Sequence, residues 1–396
     1  MRRRGGHVPA GGRDRIRTGL VLATILLVTS GTQVLPRVPV PQAPVVTPVA
    51  AALPSLPFDV RIDATMQRLR QVIVEDGPHA RLFRMILAQG RKLLHVDLSA
   101  NRGHGAWIEL VGDIDERTEA VGILVPGSGA FIDDENFMKY HRRARDLVDE
   151  AAGRLAVVVW AGGSFPKGWI QGSLSHYRRT LGRALALFSH EVRAEIHRRL
   201  GPDAPVKIVV AGHSFGGAVV AAAERYGLDA DAILHIASAG MGDVRDPYDF
   251  PEPERPRYSI TAPGDLIGFV QGLPGPPGVG HGPDPDTFRC VVRLPTGYLP
   301  DDPSLRDELG QRLGERAGAL IGGVSSHSEV FIRYSDAWWQ IYRVFLGRGP
   351  KPGECPAPPD PPLDARVLPL VVPRVVTDSQ CRAGSGLRPR DRRRFH

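Results

Sequence analysis

Ser214 stands in Gly212-His213-Ser214-Phe215-Gly216, between the β-branched run Ile208-Val209-Val210 and an Ala/Val-rich stretch that begins at Ala218. A strand that turns this tightly into a helix lifts the central side chain clear of the sheet. Glycine at both ends lets backbone and helix pass close beneath it. Ser214 then starts a helix, and the Phe215 N–H points at the oxygen of whatever the hydroxyl attacks. With 45 glycines in 396 residues the five-residue pattern arises by chance, so the flanking strand and helix carry the inference. A serine hydroxyl also needs a base to take its proton and an anion to orient that base.

The strand Tyr258–Thr261 opens into Ala262-Pro263-Gly264-Asp265, which makes Asp265 the candidate acid. One strand later, after Arg289–Leu294, Ser325-Ser326-His327-Ser328 offers His327 as the candidate base. His281 is a rival base. Asp284 and Asp286 are rival acids, although turn formation in Gly282-Pro283-Asp284-Pro285-Asp286 accounts for both. A second oxyanion donor is expected from Ser128 or Gly129, after the strand Val121–Val125. Phe131, Phe165 and Trp169 come from strand-end loops and are candidates for an acyl pocket, with core packing as the plainer alternative. His213 is expected to support the turn, and His235 to be a core histidine. No His/Cys cluster has metal-ligand spacing, so neither metal nor organic cofactor is expected.

The elements that must position these residues are legible as a repeat of short apolar runs and helical stretches. Two amphipathic helices over 59–93, broken at Asp76-Gly77-Pro78, precede a hairpin of Leu94–Ser99 and Ala106–Ile114. Strands at Val121–Val125, Leu155–Trp160, Val206–Val210, Ala232–Ile236, Tyr258–Thr261 and Arg289–Leu294 follow, with helices over Asp134–Ala152 and Leu174–Leu200. This alternation predicts an α/β fold with a mostly parallel sheet covered by helices on both faces, where chemistry gathers at the carboxyl ends of the strands. His327 is expected to lead directly into a helix with an aromatic face of Phe331, Tyr334, Trp338, Trp339 and Tyr342. The glycine- and proline-rich stretch Gln271–Asp286 lies between acid and base and is placed to border the pocket.

The net charge of +7 resides in the tails. Residues 1–18 carry six Arg against one Asp and residues 366–396 eight Arg against two Asp, which leaves the rest of the chain acidic by four. No basic, aromatic-studded face marks the body, and nucleic acid is not an expected partner. Arg2 to Arg17 followed by the apolar run Gly19–Val28 reads as an export signal or signal-anchor over 1–35, with possible membrane or cell-envelope association through that segment. A proline-rich spacer over 36–58 leads to the catalytic candidate at 59–348, and a Pro/Arg-rich extension fills 349–396. Cys355 and Cys381 are a candidate disulfide, leaving Cys290 as a buried thiol.

Pro126-Gly127, Gly212-His213-Ser214-Phe215-Gly216, Ser238-Ala239-Gly240, Asp265-Leu266-Ile267, His281-Gly282-Pro283-Asp284-Pro285 and Ser326-His327-Ser328 occur in this order. In that combination, from about Leu94 to Leu346, the chain resembles an actinobacterial family of α/β hydrolases. The resemblance implies the α/β-hydrolase fold and a serine hydrolase core, with the nucleophile at Ser214, the acid at Asp265 and the base at His327. It departs at Phe215, where the family often has Tyr, and at Gly162-Gly163, where a Gly-Tyr pair is usual. Those differences bear on substrate and not on fold. A looser similarity to secreted lipases and cutinases rests on the turn and the residue order alone. The expectation is an exported esterase that acts on a small-molecule or lipid-like ester through an acyl-serine. Acyl transfer or amide cleavage by the same three residues, and an idle envelope-binding fold, are the alternatives.

Overall fold

Eight strands form one sheet in the order β1-β2-β4-β3-β5-β6-β7-β8: β1 (Lys92–Asp97), β2 (Ala106–Val111), β3 (Ala120–Val125), β4 (Leu155–Ala161), β5 (Lys207–His213), β6 (Ala232–Ile236), β7 (Arg257–Ile260) and β8 (Val291–Arg293). β2 runs antiparallel to both β1 and β4, and every other pairing is parallel. This order and direction are those of the α/β-hydrolase fold. The computed structural model describes residues 56–75, 79–132, 135–272 and 278–355. The segment 1–35, most of the spacer 36–58, the break at 76–78, part of the 271–286 stretch and the extension from 356 onward lie outside the described residues. The chain divides into two units, residues 1–355 and 356–396.

β3 and β4 are buried at every position, as strands covered on both faces must be. Their β-branched residues suit that position, because a stiff branched side chain packs well on a pleated surface. The expected helices are present as α1 (Phe58–Val74), α2 (Ala80–Ala88), α3 (Asn136–Ala151), α4 (Ser175–Leu200) and α5 (Phe215–Arg225), with α6 (Asp336–Phe345) after the last strand. Where α4 meets α5, a Cβ on Gly182 would come within 2.8 Å of Ala222, so the missing side chain lets the two helices approach. Buried charge is paired: Arg257 lies 2.8 Å from Glu224, and Arg91 lies 2.6 Å from Glu109. Among the described residues no helix is long and apolar enough to cross a membrane.

Two expectations need correction. Cys290 is disulfide-bonded to Cys355, with Cα atoms 5.4 Å apart, and is not a free thiol; Cys381 lies outside the described residues. Cys290 falls just before β8, which is shorter than the run Arg289–Leu294 suggested. The aromatic helix after His327 is also broken. A single turn, Ser326–Glu329, carries His327, and α6 starts only at Asp336. Tyr334, with φ 68°, reverses the chain between them, and Ser335 caps α6 by accepting the Trp338 N–H.

Candidate active site

The carboxyl ends of the parallel strands carry the candidate residues; of the three, the hydrogen bonds among the described residues join Asp265 and His327. β5 runs into Ser214, whose φ of 55° and ψ of −125° lie outside the regions open to most side chains. Strain of this kind costs about 1–3 kcal/mol and persists only where neighbours over-determine it. They do so here. The Ser214 N–H donates to the Ile236 carbonyl at the end of β6, and the Ser214 carbonyl accepts from Gly217 and Ala239. A Cβ on Gly212 would fall 2.4 Å from the Gly216 carbonyl oxygen, and one on Gly216 2.3 Å from that of Val125. Both glycines of the motif are therefore dictated by contact. Gly127 passes so close that a Cβ there would lie 3.4 Å from Ser214 Oγ.

Asp265 and His327 meet as a pair. His327 Nδ1 lies 3.0 Å from Asp265 Oδ2 and 3.1 Å from Oδ1. The carboxylate is buried, with its side chain 1% exposed, whereas the imidazole is 31% exposed. Asp265 Oδ1 also accepts the Ile267 N–H at 2.9 Å, which fixes the carboxylate plane. The acid and base loops are tied by the Gly323 N–H, which donates to the Pro263 carbonyl at 2.8 Å. Ser326, buried beside His327, donates its hydroxyl to the Gly323 carbonyl. The rivals have other partners. Asp286 takes the Thr261 hydroxyl and lies 3.8 Å from Arg293. His281 bonds the Trp169 backbone, and burial together with Arg178 lowers its pKa.

The oxyanion expectations divide. The Gly129 N–H donates to the Pro166 carbonyl at 2.7 Å, and the Gly129 carbonyl accepts from Phe131 and from the Asn136 side chain. Gly129 is thus occupied in shaping its own loop and is set aside as a donor. The Ser128 N–H has no partner among the described residues. The Phe215 N–H, in the first turn of α5, belongs to the helix-terminal donors that lack an intrahelical acceptor.

The three aromatic candidates are dispersed. Phe165 is 3% exposed and packs edge-on between Trp160 and Phe215, so it belongs to the core. Phe131 is half-buried and stacks on His104. Trp169 is 65% exposed on the single turn Trp169–Gly172.

Two residues not singled out from the sequence stand at the centre. Tyr140 Oη accepts the Gly127 N–H at 2.8 Å and reaches His213 Nδ1 at 2.8 Å. Arg143, one turn along α3, holds Glu308 through two 2.5 Å bonds and stacks 3.8 Å from the centre of the Phe331 ring. The available signal was a polar pair on the buried stripe Phe137, Tyr140, Arg143, Ala144 and Leu147. A cavity of about 960 Å³ lies beside the base-bearing turn, lined by Lys139, Arg142, Arg143, Glu308 and Ser328 among others; Ser214 does not line it. Among the described residues no group of His, Cys, Asp and Glu could hold a metal ion.

No protein-family model and no curated protein sequence matches the chain. Solved structures similar to it include a dienelactone hydrolase-like promiscuous phosphotriesterase, P91, from metagenomic libraries, at 13% identity and TM-score 0.36, covering 64% of this chain and 95% of that one. The dienelactone hydrolase of Anabaena variabilis is 16% identical, with TM-score 0.30, over 52% of this chain and 87% of its own. XC6422 of Xanthomonas campestris, described as an α/β serine hydrolase without a lid, is 17% identical, with TM-score 0.30, over 52% and 84%. At such identities and scores the likeness says nothing of substrate or mechanism.

Proposed function

We propose that this protein is a serine hydrolase that cleaves an ester through an acyl-Ser214 intermediate. The observation that carries the reading is the buried Asp265 carboxylate 3.0 Å from His327 Nδ1, with the His327 carbonyl 3.1 Å from Nε2 of His213, the residue before a serine held at φ 55°. With Nδ1 turned to the carboxylate, His327 keeps Nε2 for proton transfer. His327 takes the Ser214 proton as Oγ attacks the ester carbonyl, and the N–H groups of Phe215 and Ser128 receive the negative charge on the carbonyl oxygen. His327 then protonates the leaving alcohol, the C–O bond breaks, and the acyl group remains on Ser214. Water, deprotonated by His327, releases the acid and restores the hydroxyl. Asp265 holds the tautomer and stabilises the charged imidazole.

A lipid-like or other apolar acyl group is supported by exposed side chains on the surrounding loops: Trp169, Ile170, Leu266, Phe269 and Val279. Export is supported by the Arg-rich leader with its apolar run and by the Cys290–Cys355 bond, which suits an oxidising compartment. The motif series shared with the actinobacterial hydrolases supports the same roles for the three residues.

The test is hydrolysis of a p-nitrophenyl ester series by the wild type and Ser214→Ala, with fluorophosphonate labelling mapped by peptide mass. Label is expected on Ser214, and the variant should lose at least about 10³-fold in kcat, given what removal of such a nucleophile costs elsewhere. Equal rates, or label on another residue, would remove the mechanism.

A further inference from the structure

His213, the last residue of β5, is buried, and both of its ring nitrogens are engaged. Nδ1 faces Tyr140 Oη at 2.8 Å and Arg143 Nη1 at 3.4 Å, while Nε2 faces the backbone carbonyl of His327 at 3.1 Å. The tautomer follows from the partners. The His327 carbonyl can only accept, so Nε2 must donate to it, and Tyr140 Oη, which accepts the Gly127 N–H, gives its own proton to His213 Nδ1. Nδ1 is then the acceptor, and Nε2 carries the hydrogen given to the His327 carbonyl. Burial, then the Arg143 cation, then His327 hold the His213 pKa well below the usual value, which keeps the ring neutral in this arrangement. Lys139 opposes protonation in the same sense. With both nitrogens occupied, His213 has no free lone pair for a proton from substrate.

We infer that His213 is a positioning residue, whose Nε2–H holds the backbone of the base His327 while its Nδ1, through Tyr140, holds Gly127 beside the oxyanion donor Ser128. One imidazole thereby sets two loops, distant in sequence, against the serine that follows it. The ring lies 4.8 Å from that of His327, tilted by 42°, and edge-on to Phe331 at 5.2 Å, so it also bounds the space open to the base. This inference rests on the reading of Ser214, His327 and Asp265 as a triad.

The test compares His213→Asn with His213→Gln. An Asn amide oxygen stands near Nδ1 and can accept from Tyr140, but it offers nothing to the His327 carbonyl. The longer Gln places an N–H where Nε2–H was. A base displaced by about 1 Å can cost about 10²-fold, so Asn should lower kcat about 30- to 100-fold with KM within about twofold. Gln should recover kcat to within about fivefold of wild type. Rates are normalised to sites titrated with fluorophosphonate, which removes unfolded protein from the comparison. Wild-type kcat in Asn, or equal losses in Asn and Gln, would reduce His213 to packing and overturn the inference. Should neither variant fold, Tyr140→Phe keeps the ring and removes the hydroxyl; kcat should fall about tenfold, as for a lost hydrogen bond of about 1.4 kcal/mol, and an unchanged kcat overturns the inference. Failure of the underlying reading looks different, because the wild type itself would then carry no label on Ser214.

Discussion

Asp265→Asn is nearly isosteric, yet the surrounding bonds decide which way its amide must face. The Ile267 N–H donates to Oδ1 at 2.9 Å, and the carboxylate is buried. In the variant that N–H claims the amide oxygen, since the reverse orientation would set two donors against each other at an unmet cost of about 1–3 kcal/mol. The amide NH₂ therefore turns toward His327 Nδ1, at the place of the oxygen now 3.0 Å away. His327 must present a lone pair there and carry its proton on Nε2, where it can no longer accept from Ser214. The same wrong-tautomer effect in a serine protease costs about 10⁴ in kcat, and a fall of about 10³–10⁴ is expected here, about 4–5.5 kcal/mol of barrier. The assay is steady-state hydrolysis of a p-nitrophenyl ester with kcat and KM resolved, alongside thermal unfolding. KM and Tm should hardly move, because the volume and the Ile267 bond survive. A kcat within tenfold of wild type would refute the assignment of Asp265 as the orienting anion.

Ser214→Gly should abolish hydrolysis while raising unfolding free energy by about 1 kcal/mol, since glycine relieves positive-φ strain at some entropic cost; a urea titration showing lower stability would count against strain at the turn. Acid should destabilise the fold through its buried histidines. His235 is fully buried with its pKa lowered to about 3, and His95 is lowered to about 4, each by burial first. Between those values and the unfolded value near 6.5, the unfolded chain binds the extra protons, so this stability is present above about pH 6.5 and lost as pH falls. At pH 5, His235 alone removes about 2 kcal/mol relative to pH 7, and identical urea midpoints at the two pH values would contradict it.

What local pattern could establish was the chain of elements and the polar residues at their ends. Short apolar runs, helical stripes and glycine turns are properties of neighbours in sequence, so the strands, the turn at Ser214 and the loops of Asp265 and His327 could be read before any coordinates. Contacts between distant segments have no such trace. The Gly129 N–H is spent on Pro166, Phe165 is taken into the core by Trp160 and Phe215, and Cys290 finds Cys355, because folding decides which groups meet. The same holds for Tyr140, which in sequence is one more residue on a buried helical stripe. Only the packing of α3 against the strand ends makes its hydroxyl the link between Gly127 and His213. The type of chemistry was thus written locally, in residue identities and their order, whereas the alignment of the reacting groups was left to hydrogen bonds that exist only once the sheet has closed around them.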